Sequence, residues 1–131
     1  MLESMKISAT NGHLRVVRED GRTVCERCRV AATPLTRLKG LLGRGALARG
    51  EGLLIKPAGA VHTCFMRFAI DVVFLDRHLD VLGIASRLPP WRFSGRRGAR
   101  LVLELAAGES ERRGVRAGDR LRIADALGTS A

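Results

Sequence analysis

Apolar and polar positions alternate along residues 13–17 and again along 23–32, the two-residue period of strands with one buried face. Between them Glu19-Asp20-Gly21 carries an Asp-Gly pair, and glycine's access to positive φ suits such a pair to a tight hairpin turn. The first two strands are therefore expected to be antiparallel. At Thr33-Pro34 the period changes. Threonine suits an N-cap, proline the first helical position, and Leu35, Leu38, Leu41 and Leu42 then recur at helical spacing. The spacing predicts a helix of about two and a half turns over 34–42, stopped by Gly43 and Gly45, with Arg37 and Arg44 aligned on its opposite face. Gly40 inside it costs about 1 kcal/mol against alanine, which implies a close backbone approach.

Beyond Gly52 the apolar positions come in short runs, at 53–55, 61–68, 72–75, 81–85 and 100–105, each of strand length and separated by turn residues. Residues 88–98 contain two prolines and two glycines and predict a surface loop. In residues 109–114 acids come first, bases last and glycine after, the order that suits a helix dipole, so one helical turn is expected before a last strand at 120–124. The pattern describes an α+β chain, mainly β: a small, partly closed antiparallel β-barrel with one or two short helices, the 34–42 helix lying across one opening. A sandwich is the nearest rival. Residues 1–12 form an entry segment, 13–126 a single domain and 127–131 a fraying end.

Composition agrees with a globular domain, since 131 residues with 46% hydrophobic and 27% charged positions are enough for a core and unlike a disordered chain. No apolar run approaches the roughly 20 residues of a membrane span, and no basic stretch followed by an apolar one opens the chain. A cytoplasmic protein with no membrane partner is the expectation. Charge changes the picture more. Lys and Arg total 23 against 13 acids, a formal +10, and only Lys6, Lys39 and Lys56 are lysines. Guanidinium forks match phosphates and carboxylates, and a net charge of this size speeds encounters with nucleic acid and other anions.

Several side chains could carry chemistry. His62 with Asp71 or Glu104 would serve as an acid–base set, the imidazole oriented by a carboxylate, as in a hydrolase or isomerase. Set against this, a strand-start His, a capping Asp and a Glu paired to an Arg need no substrate. If 61–68 is one strand, His62 and Cys64 share a face and Arg67 takes the other. No nucleophile elbow, phosphate-binding loop or zinc-protease helix occurs. Cys25-Glu26-Arg27-Cys28 has metal-ligand spacing that His62 and Cys64 would complete, but residues three apart in a strand point to opposite faces. Buried reduced thiols, with no metal or cofactor, are expected instead. Arg87, Arg92, Arg96, Arg97 and Arg100 surround Trp91 and Phe93 as in a single-strand nucleic-acid surface. With few rings in the chain, the expectation is a solvated loop whose Trp91 folds back onto the core.

Four stretches taken together resemble a known family: Arg37-Leu38-Lys39-Gly40-Leu41-Leu42-Gly43-Arg44; Gly50-Glu51-Gly52-Leu53-Leu54-Ile55; the run from His62-Thr63-Cys64-Phe65-Met66-Arg67 through Asp71 to Asp76; and Leu101-Val102-Leu103-Glu104-Leu105 continuing to Gly118-Asp119. The chain resembles the DUF 192 family, domain of unknown function 192, over roughly residues 14–124. The resemblance implies a compact, largely β fold with one or two short helices, and polar family positions at Arg37, Arg44, Glu51, His62, Arg67, Asp71, Glu104 and Asp119. It adds no reaction. The chain departs from the family at Cys64, where an aromatic is common, at Ala69 and Ala106, where proline is common, and at Leu79, where the turn of residues 76–80 usually has glycine.

Three functions follow as expectations. The first is a binding module for a small anionic ligand or acidic partner, with Arg37, Arg44, His62, Arg67 and Trp91 converging on one pocket. Its counterpart is that the arginines pair internally with Glu51, Asp71 and Glu104 and tie helix to barrel. The second is an enzyme built on His62, Asp71 and Glu104, which requires the three within hydrogen-bond reach in a concave pocket. The third is unspecific nucleic-acid binding by the basic surface.

Overall fold

A computed structural model describes residues 13–33 and 44–124. The expected helix at 34–42 with Arg37, the entry segment and the fraying end lie outside the described residues. Among the described residues, nine strands and one helix occur in the order β1 (Leu14–Arg18), β2 (Thr23–Ala31), β3 (Glu51–Ile55), β4 (Ala60–His62), β5 (Ile70–Leu75), β6 (Val81–Leu88), β7 (Phe93–Gly95), β8 (Leu101–Ala106), α1 (Glu109–Arg112) and β9 (Leu121–Ala124). Seven strands form one sheet in the order β6-β5-β8-β3-β2-β1-β9, and β4 pairs with β7 in a second. Among the described residues no helix is long and apolar enough to cross a membrane.

The mainly β expectation is met, with corrections. β1 and β2 pair antiparallel across the Asp20-Gly21 turn, where Gly21 takes φ +91°. The sheet is mixed rather than antiparallel, because β2 and β3 run parallel, Cys28 opposite Gly52. Parallel neighbours need a crossover of a dozen or more residues, and residues 32–50 supply one. As for barrel closure, the edge strands meet at one corner. Asp80 bridges Arg120, the Val81 N–H donates to Asp119 O at 2.8 Å, and the Leu121 N–H donates to Leu79 O at 2.9 Å. Leu79 turns this corner at φ +68°, a left-handed conformation that explains why glycine suits the position.

Both faces of the large sheet are buried, which is why β5 and β8 read as continuous apolar runs. Val16, Cys25, Cys28, Leu54, Val73, Leu103 and Leu105 pack on one face; Leu53, Ile55, Val72, Phe74 and Val102 pack on the other, with Val61 and Met66. Gly52 cannot be larger, because a Cβ there would lie 2.7 Å from Cys25 Sγ.

Two segments differ from the apolar pattern. The strand expected over 61–68 ends at His62: the chain turns at Thr63, with the Met66 N–H donating to Thr63 O at 3.1 Å and Phe65 in a left-handed conformation, φ +68°. Part of the loop expected over 88–98 is a strand, β7, pairing Phe93 with His62 and Gly95 with Ala60.

Candidate functional site

The second sheet carries the most unusual surface. Large exposed apolar side chains among the described residues are three rings, Phe65 at 71%, Trp91 at 57% and Phe93 at 79%, and all three lie on β4, β7 or the turns that continue them. Phe65 packs against Trp91 with centroids 4.7 Å apart, and His62 meets its cross-strand partner Phe93 edge-on at 6.2 Å. Trp91 does not fold back onto the core as the loop pattern suggested, because its backbone takes φ +66° and its N–H is held at 3.0 Å by Thr63 O.

Thr63 is what fixes these rings. It is fully buried, its N–H donates to Arg92 O at 2.8 Å, its hydroxyl donates to Pro89 O at 2.7 Å, and the Arg92 N–H donates back to Thr63 Oγ1 at 2.9 Å. Of the four non-glycine residues in left-handed conformations among the described residues, Phe65, Leu79, Arg87 and Trp91, two carry these exposed aromatics, at a cost on the order of 1–3 kcal/mol each. Packing does not explain such placement, since an exposed ring contributes little to a core. The Cys64 N–H donates to His62 Nδ1 at 3.2 Å, so a neutral imidazole carries its proton on Nε2.

The electrostatic setting is equally one-sided. Residues 52–70 hold Lys56 and Arg67, residues 81–103 hold five arginines, and neither stretch contains an Asp or Glu. Arg67, Arg92, Arg96 and Arg97 have no acid partner among the described residues. Among the described residues Arg18, Arg44, Arg87, Arg112, Arg113 and Arg120 do reach acids. Arg44 reaches Glu51 Oε1 at 3.1 Å, and that carboxylate, which also accepts from the Ala48 N–H, sits below the usual range because of that backbone bond and the guanidinium. Arg44 thus takes the internal role, while His62, Arg67 and Trp91 share the exposed second sheet or its turns.

The three acid–base candidates are not brought together. Asp71 is fully buried and accepts four hydrogen bonds: from the Arg87 N–H at 2.8 Å, the Gly108 N–H at 3.1 Å, the Ser110 N–H at 2.8 Å and the Ser110 hydroxyl at 2.6 Å. The Arg87 donor is freed by a bulge where β6 has one residue more than β5, so Asp71 fastens a strand irregularity to the start of α1. Asp71 pairs with Leu105 and Glu104 with Val72; those partners belong to opposite faces of the sheet, so the carboxylates do too. Glu104 lies among apolar side chains, and burial pushes its carboxyl up to about 7. His62 stands apart from both on the other sheet.

Cys25 and Cys28 hold a correction of a different kind. They share one face, because a bulge at Glu26 and Arg27 places both exactly as cross-strand partners of Val16 and Leu14, which are two apart. Both thiols are buried, and the hydrogen bond with Cys25, then burial, raise the Cys28 thiol well above its usual range. His62 and Cys64 do not join them. Among the described residues no three His, Cys, Asp or Glu side chains gather where a metal ion could be held.

Comparison with known proteins agrees with this fold. The model of DUF192, a family described as an uncharacterized ACR, matches residues 15–123. The chain belongs to the DUF192 family. UPF0127 protein PF1050 of Pyrococcus furiosus is 43% identical over 63 residues, 47% of this chain, and the match spans about half of that relative's length, 53%. Among solved structures, a "putative transcription regulator" from Sinorhizobium meliloti superposes with a TM-score of 0.75 at 26% identity, covering 86% of this chain and 92% of that one. A protein of unknown function from Novosphingobium aromaticivorans gives 0.72 at 24% identity, covering 83% and 82%, and is similar in fold.

Within this DUF192 domain the sequence pattern passed over Phe65, and it weighed Arg92 and Phe93 as a nucleic-acid surface but favoured a solvated loop. Phe65 sat inside an apparent strand, and Phe93 in an apparent loop. The signal that marks them is the lack of any acid in the two stretches that build the second sheet.

Proposed function

We propose that this domain is a binding module that holds an anionic partner against the β4–β7 sheet and its turns. Of the residues expected to bind, His62, Arg67 and Trp91 keep their role; Phe65, Arg92 and Phe93 join them, and Arg44 leaves the set. The observation that carries the reading is the concentration of exposed rings, two of them on left-handed backbone, within an acid-free cationic surface. In this reading the large sheet, bridged at its Asp80 and Arg120 corner, is a partly closed barrel that acts as the rigid support. The cytoplasm suits a chain whose three cysteines are unpaired. Acid–base catalysis by His62 with a carboxylate draws no support from the geometry, since Asp71 is saturated with donors and Glu104 occupies the opposite face.

Trp91 is the sole tryptophan and is half-exposed, so its emission reports directly on this surface. Titration with inorganic polyphosphate should quench or shift that emission, more weakly as salt rises. Arg67→Ala and Arg92→Ala should weaken the response, and Arg113→Ala, whose guanidinium is tied to Glu26 and Glu109, should not. Emission indifferent to polyphosphate at low salt would overturn the reading.

A further inference from the structure

A site for charge alone has no use for rings. In the second sheet the rings meet at 60° and 65° rather than face to face, so neither pair buries its π faces in itself. No large aliphatic side chain among the described residues is exposed beside them. A surface that dips into lipid would combine such rings with leucine or isoleucine. Here flat π surfaces stand among guanidinium groups, which are planar, pair bidentately with phosphate and stack on rings themselves. The partner that complements both features has flat aromatic units strung on a regularly charged backbone.

We infer that the β4–β7 surface binds single-stranded nucleic acid, with bases stacked on Phe65, Trp91 and Phe93 and phosphates held by Arg67, Arg92 and the Arg96-Arg97 pair. The inference rests on the anionic-partner reading above and specifies its ligand. A duplex is a poorer fit, because its bases are already stacked on one another and show only their edges. Sequence preference should be slight, since every base offers a π face and no buried polar group on this surface is placed to read an edge. The hydrogen bonds of Thr63 set the rings in advance, which lowers the ordering cost of binding.

The test compares a fluorescently labelled oligothymidylate, an oligouridylate, an abasic sugar–phosphate strand of the same length, a duplex, and vesicles containing phosphatidylserine. Both base-bearing single strands should bind about tenfold or more tighter than the abasic strand. Phe65→Leu and Phe93→Leu keep apolar bulk but remove the π face; each should lose about fivefold or more for the base-bearing strands and leave the abasic strand unchanged. Both positions are exposed, and thermal unfolding of each variant checks that it folds. Arg67→Ala should weaken all three strands alike and lower the salt slope by about 0.7. Equal affinity for abasic and base-bearing strands would overturn the inference and leave the anionic reading standing. Preference for duplex or for vesicles would overturn it in favour of that partner, and binding to none of the probes would overturn both.

Discussion

Around α1 and the start of β9, Arg112, Arg113 and Arg120 meet acids. Arg113 joins Glu26 at 2.8 Å and Glu109 at 3.2 Å, Arg112 joins Glu109 at 2.6 Å, and Arg120 grips Asp80 with two contacts of 2.6 and 3.0 Å. Around β4 and β7, Arg67, Arg92, Arg96 and Arg97 meet none among the described residues, and Phe65, Trp91 and Phe93 face outward. The same residue type thus fastens the scaffold in one region and coats a surface in the other. A formal charge of +10 is not an even coat, and what decides a guanidinium's role is whether the topology brings an acid to it.

If this division is right, damage to the scaffold and damage to the surface should separate. The largest loss of stability should come from Asp71→Ala, which strips the acceptor from four donors at the β6 bulge and the start of α1; we expect about 3–5 kcal/mol in chemical denaturation. Glu104 gives a pH signature of similar size. Its carboxyl titrates at about 7 in the fold against an ordinary 4.5, so the folded state holds the extra proton between those values. Stability is therefore fully present below about pH 4.5 and lost as pH rises through 7, by on the order of 3 kcal/mol, and Glu104→Gln should flatten that slope.

Arg113→Ala leaves the buried Glu109 with less compensation and should cost about 2 kcal/mol while leaving polyphosphate binding unchanged. Phe93→Ala should behave in the opposite way. Its ring is exposed, so thermal and chemical unfolding should move by only about 0.5 kcal/mol, yet binding to the second sheet should fall several-fold. A Phe93 variant that unfolds readily, or an Arg113 variant that stops binding, would erase the distinction between the regions.

The scaffold was the more legible of the two in sequence. Alternation and Asp20-Gly21 gave the β1–β2 hairpin, the apolar runs gave β5 and β8, and the acid-then-base order of residues 109–114 gave α1. Leu79 stood where the family favours glycine, and its left-handed backbone shows why. What escaped the pattern were departures from period two. An extra residue between Cys25 and Cys28 turns both thiols to one face, and strict alternation counts them onto opposite faces. Left-handed backbone at Phe65 and Trp91 escaped for a related reason: glycine announces such a conformation in sequence, whereas an aromatic held there by Thr63 does not. The opposite placement of Asp71 and Glu104 depended on strand register across β5 and β8, which no local pattern carries.

The central claim is that the acid-free sheet, and not the ion-paired region, is where an anion binds. Mapping backbone amide shifts by NMR during titration with polyphosphate tests it most directly. The account predicts shifts concentrated in residues 60–67 and 91–97, with the amides of Arg113 and Arg120 unmoved. Shifts centred on α1 or on the Asp80 and Arg120 corner, or spread evenly over every arginine, would contradict it.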